Sequence, residues 1–185
     1  MLENQQGKVR KTLKLAAKVM NKAKLKNFFL NLIILIIIFL IDRISKLYIL
    51  KLAELESSVD IYVTSYLNLF LIWNKGVAFG LLSMNESVIY NMITLIIGFI
   101  IIVILFMMWK NDNIQRYFLA LVVGGALGNF YDRIVYTAVP DFIDLHFQGF
   151  HWFVFNVADI FISIGVFCLI LVEVFDNNKI KNEKN

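Results

Sequence analysis

Residues 87–109 run for 23 positions without one charged side chain. A helix of that length rises about 35 Å at 1.5 Å per residue, against roughly 30 Å of bilayer hydrocarbon. Three more stretches have comparable length and are mostly apolar, at 27–50, interrupted by Asp42, Arg43 and Lys46, at 117–139 and at 153–175. Lipid offers no water to satisfy free backbone groups, so each stretch is expected to cross as a helix. With 59% hydrophobic and 17% charged residues among 185, the chain is too apolar for a soluble domain of this size. The expected fold is an α-helical membrane protein with four transmembrane helices.

The net charge of +4 conceals a segregation of the basic residues. Eight Lys or Arg and no acid lie between Lys8 and Lys26, two flank the 110–116 loop, and Lys179, Lys181 and Lys184 sit in the tail. The other side has only Lys51 and Lys75 in the 51–86 segment, and no Lys or Arg between Ala138 and Val154. The positive-inside rule then places both termini in the cytoplasm. Three regions follow: a basic cytoplasmic arm at 1–26, a membrane domain at 27–176 and a cytoplasmic tail at 177–185. In the arm, Leu13, Leu15, Ala16, Val19, Met20 and Ala23 lie among the lysines, as in an amphipathic helix resting on lipid. Because an apolar span follows at once, the expected partner of the arm is the phospholipid surface, with no nucleic acid. The arm and residues 28–41 have the outline of a secretory signal. No small-residue cleavage site follows and the apolar run continues past Asp42, so an uncleaved span is expected. Cys168, the one cysteine, sits in an apolar run and is expected to pack.

The segments left outside read as strands. Residues 58–73 are rich in β-branched and aromatic side chains and run into the turn residues Asn74, Lys75 and Gly76. Residues 142–155 alternate, Asp144 and His146 out of phase with Ile143, Leu145 and Phe147, with Gln148 and Gly149 at a hairpin turn. Small sheets at the outer interface, one of them a platform over the helix ends, are expected.

Ionisable groups inside a bilayer are costly and mark function by default. In the first span Asp42 and Lys46 are four apart, share a helix face and are expected to pair as a structural clamp. Ser45 and Lys46 are adjacent and do not face each other, which rules out a dyad within that helix. In the third span Gly124, Gly125, Ala126 and Gly128 let a neighbour approach closely. Gly125, Asn129 and Asp132 share one face beside Arg133. Either these polar groups pair, Arg133 satisfying Asp132 locally, or they bind something. Asp141 and Asp159 differ: each lies at an outer membrane boundary with no Lys or Arg within five residues. Asn156, Asp159 and Ser163 share the inward face of the fourth helix. Two carboxyls sharing one proton split into an acid and a base, which suits hydrolysis of an amide. A proton or cation relay uses the same groups. His146 and His151 are five apart with no supporting carboxylate motif, so no metal and no cofactor is expected.

The stretches DRISK (42–46), NKGVAFG (74–80), GGALGNFYDR (124–133), VPDF (139–142) and FNVAD (155–159) closely resemble the lipoprotein signal peptidases, or signal peptidase II. The resemblance implies an intramembrane aspartic peptidase with four helices, a small extracytoplasmic β-platform and no metal. It implies cleavage of bacterial prolipoproteins just before a diacylglyceryl-modified cysteine, at the outer face of the cell (inner) membrane; a monomer is expected. Asp141 and Asp159 match the catalytic pair. Asn74, Gly76, Asn129, Arg133 and Asn156 match positions that line the pocket or hold substrate, with Gly125 supporting them. Asp42, Lys46 and Asp132 match structural support. Thr137 stands where the family usually has glycine, and Pro140 stands directly before the first aspartate. Against a dual-topology carrier stands the strong charge asymmetry. An assembly subunit, with the acids merely paired to Arg133 and Lys46, is the third class; a lipidated precursor separates the three.

Overall fold

The structure is a computed structural model and describes residues 2–56, 58–76 and 86–182. Among the described residues four helices are long and apolar enough to cross a membrane. They are α1 (Leu2–Glu56), α2 (Glu86–Lys110), α3 (Gln115–Tyr136) and α4 (Val157–Asn182). Exposed Ile, Leu, Phe and Val side chains cover the outward faces of α1, α2 and α4, as a lipid-facing surface requires. Here α3 is the central element and packs against the other three. Gly124 meets Ile38 of α1, Gly125 meets the backbone of Ala158 on α4, and Gly165 of α4 meets the backbone of Phe118. Without Cβ atoms at these points the helices approach backbone to side chain.

The helix α1 is continuous, so no break separates the basic arm from the span, which covers Lys24–Glu56 rather than stopping at residue 50. Most side chains of the arm, and residues 77–80 of the 74–80 motif, lie outside the described residues.

The connections on one side of the bundle form a single sheet, not separate small ones. Its strands β1 (Asp60–Thr64), β2 (Leu67–Asn74), β3 (Val139–Phe147) and β4 (Phe150–Phe155) pair antiparallel in chain order. Since β1 and β2 join α1 to α2 while β3 and β4 join α3 to α4, the sheet lies across one common end of the helices. Ile49 of α1, Val59, and Phe142 of β3 form the core beneath it, with Val157 of α4 packed alongside. Gln148 and Gly149 both have positive φ (49° and 81°), the geometry of the two-residue hairpin turn that the sequence suggests. Tyr62, Tyr66, Phe150, Trp152 and Phe153 are exposed on the sheet, residue types that favour a membrane–water boundary.

Two helix boundaries differ from expectation. The third helix ends at Tyr136, because Thr137 takes a left-handed conformation (φ 52°, ψ 21°) and Pro140 keeps Val139 extended. The fourth begins at Val157, not 153, because Asn156 caps it and residues 153–155 complete β4. Thr137 therefore occupies the position where glycine costs least. Replacing Thr137 by Gly should stabilise the protein by roughly 0.5–1 kcal/mol. In thermal unfolding in detergent micelles a higher midpoint is expected, and an unchanged or lower one contradicts the strain.

Candidate active site

A buried ionic cluster lies between α1 and α3. Asp42, Lys46 and Asp132 are completely buried, and Arg43 is nearly so. The Lys46 ammonium lies 2.9 Å and 3.0 Å from the two Asp42 oxygens, 2.7 Å from Asp132 Oδ2, and donates to Asn129 Oδ1 at 2.7 Å. Arg43 Nη1 is 2.6 Å from Asp132 Oδ1 and its Nη2 is 3.1 Å from Asp42 Oδ2. Two cations and two anions thus cancel, the condition under which burial of charge is tolerable. Asp132 pairs with Lys46 and Arg43 rather than with neighbouring Arg133, because on a helix i and i+1 diverge. Arg43 is the member that sequence reasoning left unassigned; its signal was simply a charge inside an apolar span. Ser45 donates to the Asp42 carbonyl at 2.8 Å, away from Lys46. Gly128 faces the Asp42 carboxylate so closely that any Cβ would collide with it.

From this cluster a chain of hydrogen bonds reaches the two other aspartates. Asn129 Nδ2 donates to Asp159 Oδ1 at 2.8 Å. At the start of α4, Asn156 Oδ1 accepts from the Asp159 amide at 3.2 Å while Asp159 Oδ2 accepts from the Asn156 amide at 3.0 Å. This reciprocal pair is a capping box, which satisfies free amides of the first turn and fixes the carboxylate at the same time. The next free amide, that of Ala158, donates to Asp42 Oδ1 at 3.0 Å, tying α4 to the ionic cluster. The second aspartate, Asp141, is also buried; Asn156 Nδ2 donates to its Oδ1 at 2.6 Å and Asn74 Nδ2 to its Oδ2 at 2.9 Å. One residue, Asn156, therefore holds both carboxylates.

Each asparagine can face only one way. The carbonyl end of Asn129 is occupied by Lys46, that of Asn156 by the Asp159 amide and that of Asn74 by the Gly76 amide at 2.7 Å. A donor sits at every carbonyl end, so every NH₂ must turn to a carboxylate. A bulge between Leu69 and Ile72 lies where β2 passes Asp141, the usual device for re-aiming a side chain at a site.

Burial raises the Asp141 pKa above the ordinary carboxylate value, and the negative charge of Asp159 raises it further, against the opposing hydrogen bonds from Asn74 and Asn156. Asn156, bonded to both, sits between the two carboxylates.

Arg133 lies over the ring of Tyr90 at 5.7 Å, and Tyr90 donates to its carbonyl at 3.0 Å. Among the described residues its Nε and Nη1 have no hydrogen-bond partner. A Cβ on Gly76 would stand 2.9 Å from Nη1, and Gly76 has φ +74°, so both contact and backbone call for glycine there. Of the remaining expected site residues, Gly125 packs on α4 and supports the site only indirectly. A cavity of about 640 Å³ at the other end of the bundle, between Phe28, Asn31, Trp109 and Arg116, has no part in this arrangement.

A family model described as signal peptidase (SPase) II matches residues 34–175, which include every residue of the ionic cluster and both remaining aspartates. The chain belongs to the signal peptidase II family. It is therefore a membrane peptidase. A lipoprotein signal peptidase of Pelagibacter ubique (strain HTCC1062) is 76% identical over 166 residues, covering 90% of this chain and all of that protein. One from Anaplasma phagocytophilum (strain HZ) is 40% identical over 151 residues, covering 80% of this chain and 94% of the relative. A solved bacterial membrane enzyme, determined by the in meso method at 2.3 Å resolution, superposes with a TM-score of 0.64 at 28% identity. That match covers 84% of this chain and 93% of the other.

Replacing Lys46 by Met leaves two buried carboxylates to share Arg43. The expected loss is about 3–5 kcal/mol, read as a markedly lower unfolding midpoint in detergent; a midpoint equal to wild type contradicts the cluster.

Proposed function

We propose that Asp141 and Asp159 are the catalytic pair of a signal peptidase that releases signal peptides from lipid-modified prolipoproteins, cutting before the lipidated cysteine. The observation that carries this reading is the shared ligand: Asn156 donates to Asp141 and, through its backbone, to Asp159. Two acids fixed by one residue are set to act on one bond.

Asp141, its pKa raised mainly by burial, holds the shared proton, and ionised Asp159 is the base. Asp159 takes a proton from water as the water oxygen attacks the scissile carbonyl, while the Asp141 proton stabilises the developing oxyanion. Collapse of the tetrahedral intermediate breaks the C–N bond as the leaving nitrogen takes a proton from the pair. The free donors of Arg133 suit backbone carbonyls of an extended substrate. The acyl chains stay in lipid beside the helices, where each CH₂ kept from water contributes roughly 0.8 kcal/mol.

The charge asymmetry supports a bacterial inner-membrane location with both termini cytoplasmic and the sheet and aspartates toward the outer face. On this reading residues 1–26 form a basic cytoplasmic arm that continues the first helix, 27–176 the peptidase domain and 177–185 a tail, and the enzyme works as a monomer.

Asp159→Asn keeps the shape of the cap and removes the base. Processing of a diacylglyceryl-modified precursor by purified protein should fall by roughly 10²–10⁴-fold or more with insertion unchanged; undiminished cleavage refutes the pair. A second test uses pH. Asn74 stabilises the charged form of Asp141, so Asn74→Ala should raise the Asp141 pKa further and move the alkaline limb of the kcat profile to higher pH. A shift to lower pH contradicts the assignment of the proton to Asp141.

A further inference from the structure

The β3–β4 hairpin carries a group of side chains that the hydrolytic site does not use. His146 and His151 are partners across the two strands, with ring centroids 5.1 Å apart. Asp144, two residues before His146, lies toward the same face. Its Oδ2 is 2.8 Å from His151 Nδ1 and 3.6 Å from His146 Nδ1. All three ligating atoms fall within 4.8 Å of one another. The sequence reading assigned these histidines no carboxylate; the two-residue turn at Gln148 and Gly149 sets the register that supplies one.

The burial of this group calls for a positive charge. The Asp144 side chain is only 4% exposed, and among the described residues its ion-pair partners are the two histidines, with no Lys or Arg. Its Oδ1 and His146 Nδ1 are buried without a hydrogen-bond partner, as is Oδ1 of Asn68, which is paired with Asp144 on β2. Buried carboxylates are normally paired with a cation or bound to a metal. A tetrahedral ion with N and O ligands at about 2.0–2.1 Å holds those ligands roughly 3.4 Å apart. The two distances to Asp144 bracket that value. His151 is 56% exposed, which leaves a path for an ion and room for a water in the coordination sphere.

The geometry points to a divalent transition-metal site of the zinc type formed by Asp144, His146 and His151. Two imidazoles and one carboxylate suit zinc and disfavour magnesium or calcium, which prefer oxygen ligands throughout. The site ties β3 to β4, the two strands that carry Asp141 and lead into Asn156. A bound ion would therefore brace the connection between the two halves of the proposed catalytic pair. The site itself depends only on the hairpin and stands or falls apart from the peptidase reading.

The test uses full-length protein in detergent, stripped of metal and freed of any histidine tag, titrated with Zn²⁺ against a fluorescent zinc indicator. One saturable Zn²⁺ per chain is expected, unaffected by excess Mg²⁺. His151→Gln, at an exposed position, should weaken binding at least about tenfold, and His146→Gln should do the same. Zn²⁺ should also raise the thermal midpoint of wild type and leave that of His151→Gln where it was. No saturable binding, displacement by Mg²⁺, or equal affinity and equal stabilisation in wild type and both variants overturns the site.

Discussion

The ammonium of Lys46 is the constraint on which this architecture rests. It is completely buried where α1 packs on α3, and it touches Asp42, Asp132 and Asn129 together. A buried cation of this kind must be matched in both charge and hydrogen bonds. That need fixes the rotation of α1 against α3, requires glycine at 128 to admit the Asp42 carboxylate, and brings the Ala158 amide of α4 to the same carboxylate. Apolar contacts alone would leave these helices free to slide, because lipid competes for every Leu and Ile on their surfaces.

From Lys46 outward, position is converted into orientation. Lys46 fixes the amide of Asn129, which then has only an NH₂ to offer Asp159. The capping box of α4 fixes Asn156 in the same way, and its NH₂ reaches Asp141. Asn74, turned by the Gly76 amide, closes the chain from the other side. Neither Asp141 nor Asp159 has a Lys or Arg ion pair among the described residues, unlike Asp42 and Asp132. The four aspartates thus divide into two that neutralise buried cations and two that amides merely hold. On the proposed reading this second pair supplies the acid and the base of the hydrolysis.

Much of this was legible in the residues. Lengths and apolarity disclosed the four spans, and the i, i+4 spacing of Asp42 and Lys46 disclosed their pairing. Asp141 and Asp159, which have no basic neighbour in sequence, also form no direct ion pair with Lys or Arg among the described residues, Lys46 reaching Asp159 only through Asn129. What local reasoning missed was non-local or conformational. Asp132 ignores the adjacent Arg133 because its partners come from a helix some 86 residues away in sequence. The third helix stops early because Thr137 turns left-handed, a state that threonine does not advertise. Residues 153–155 are apolar enough for helix, and tertiary pairing with β3 makes them strand instead. The contact of Asp144 with both histidines was latent in the alternation and the two-residue turn, once the register was counted across the hairpin.

Mutual influence of Asp141 and Asp159 is the central claim, and a carboxyl titration measures it directly. With ¹³C-labelled aspartate, the Asp141 signal can be followed against pH in wild type and in Asp159→Asn. Removing the neighbouring negative charge takes away one of the causes that raise the Asp141 pKa, so its midpoint should fall in the variant. A midpoint that stays where it was would mean that the two carboxyls do not sense each other, and an aspartic mechanism at this site would be untenable.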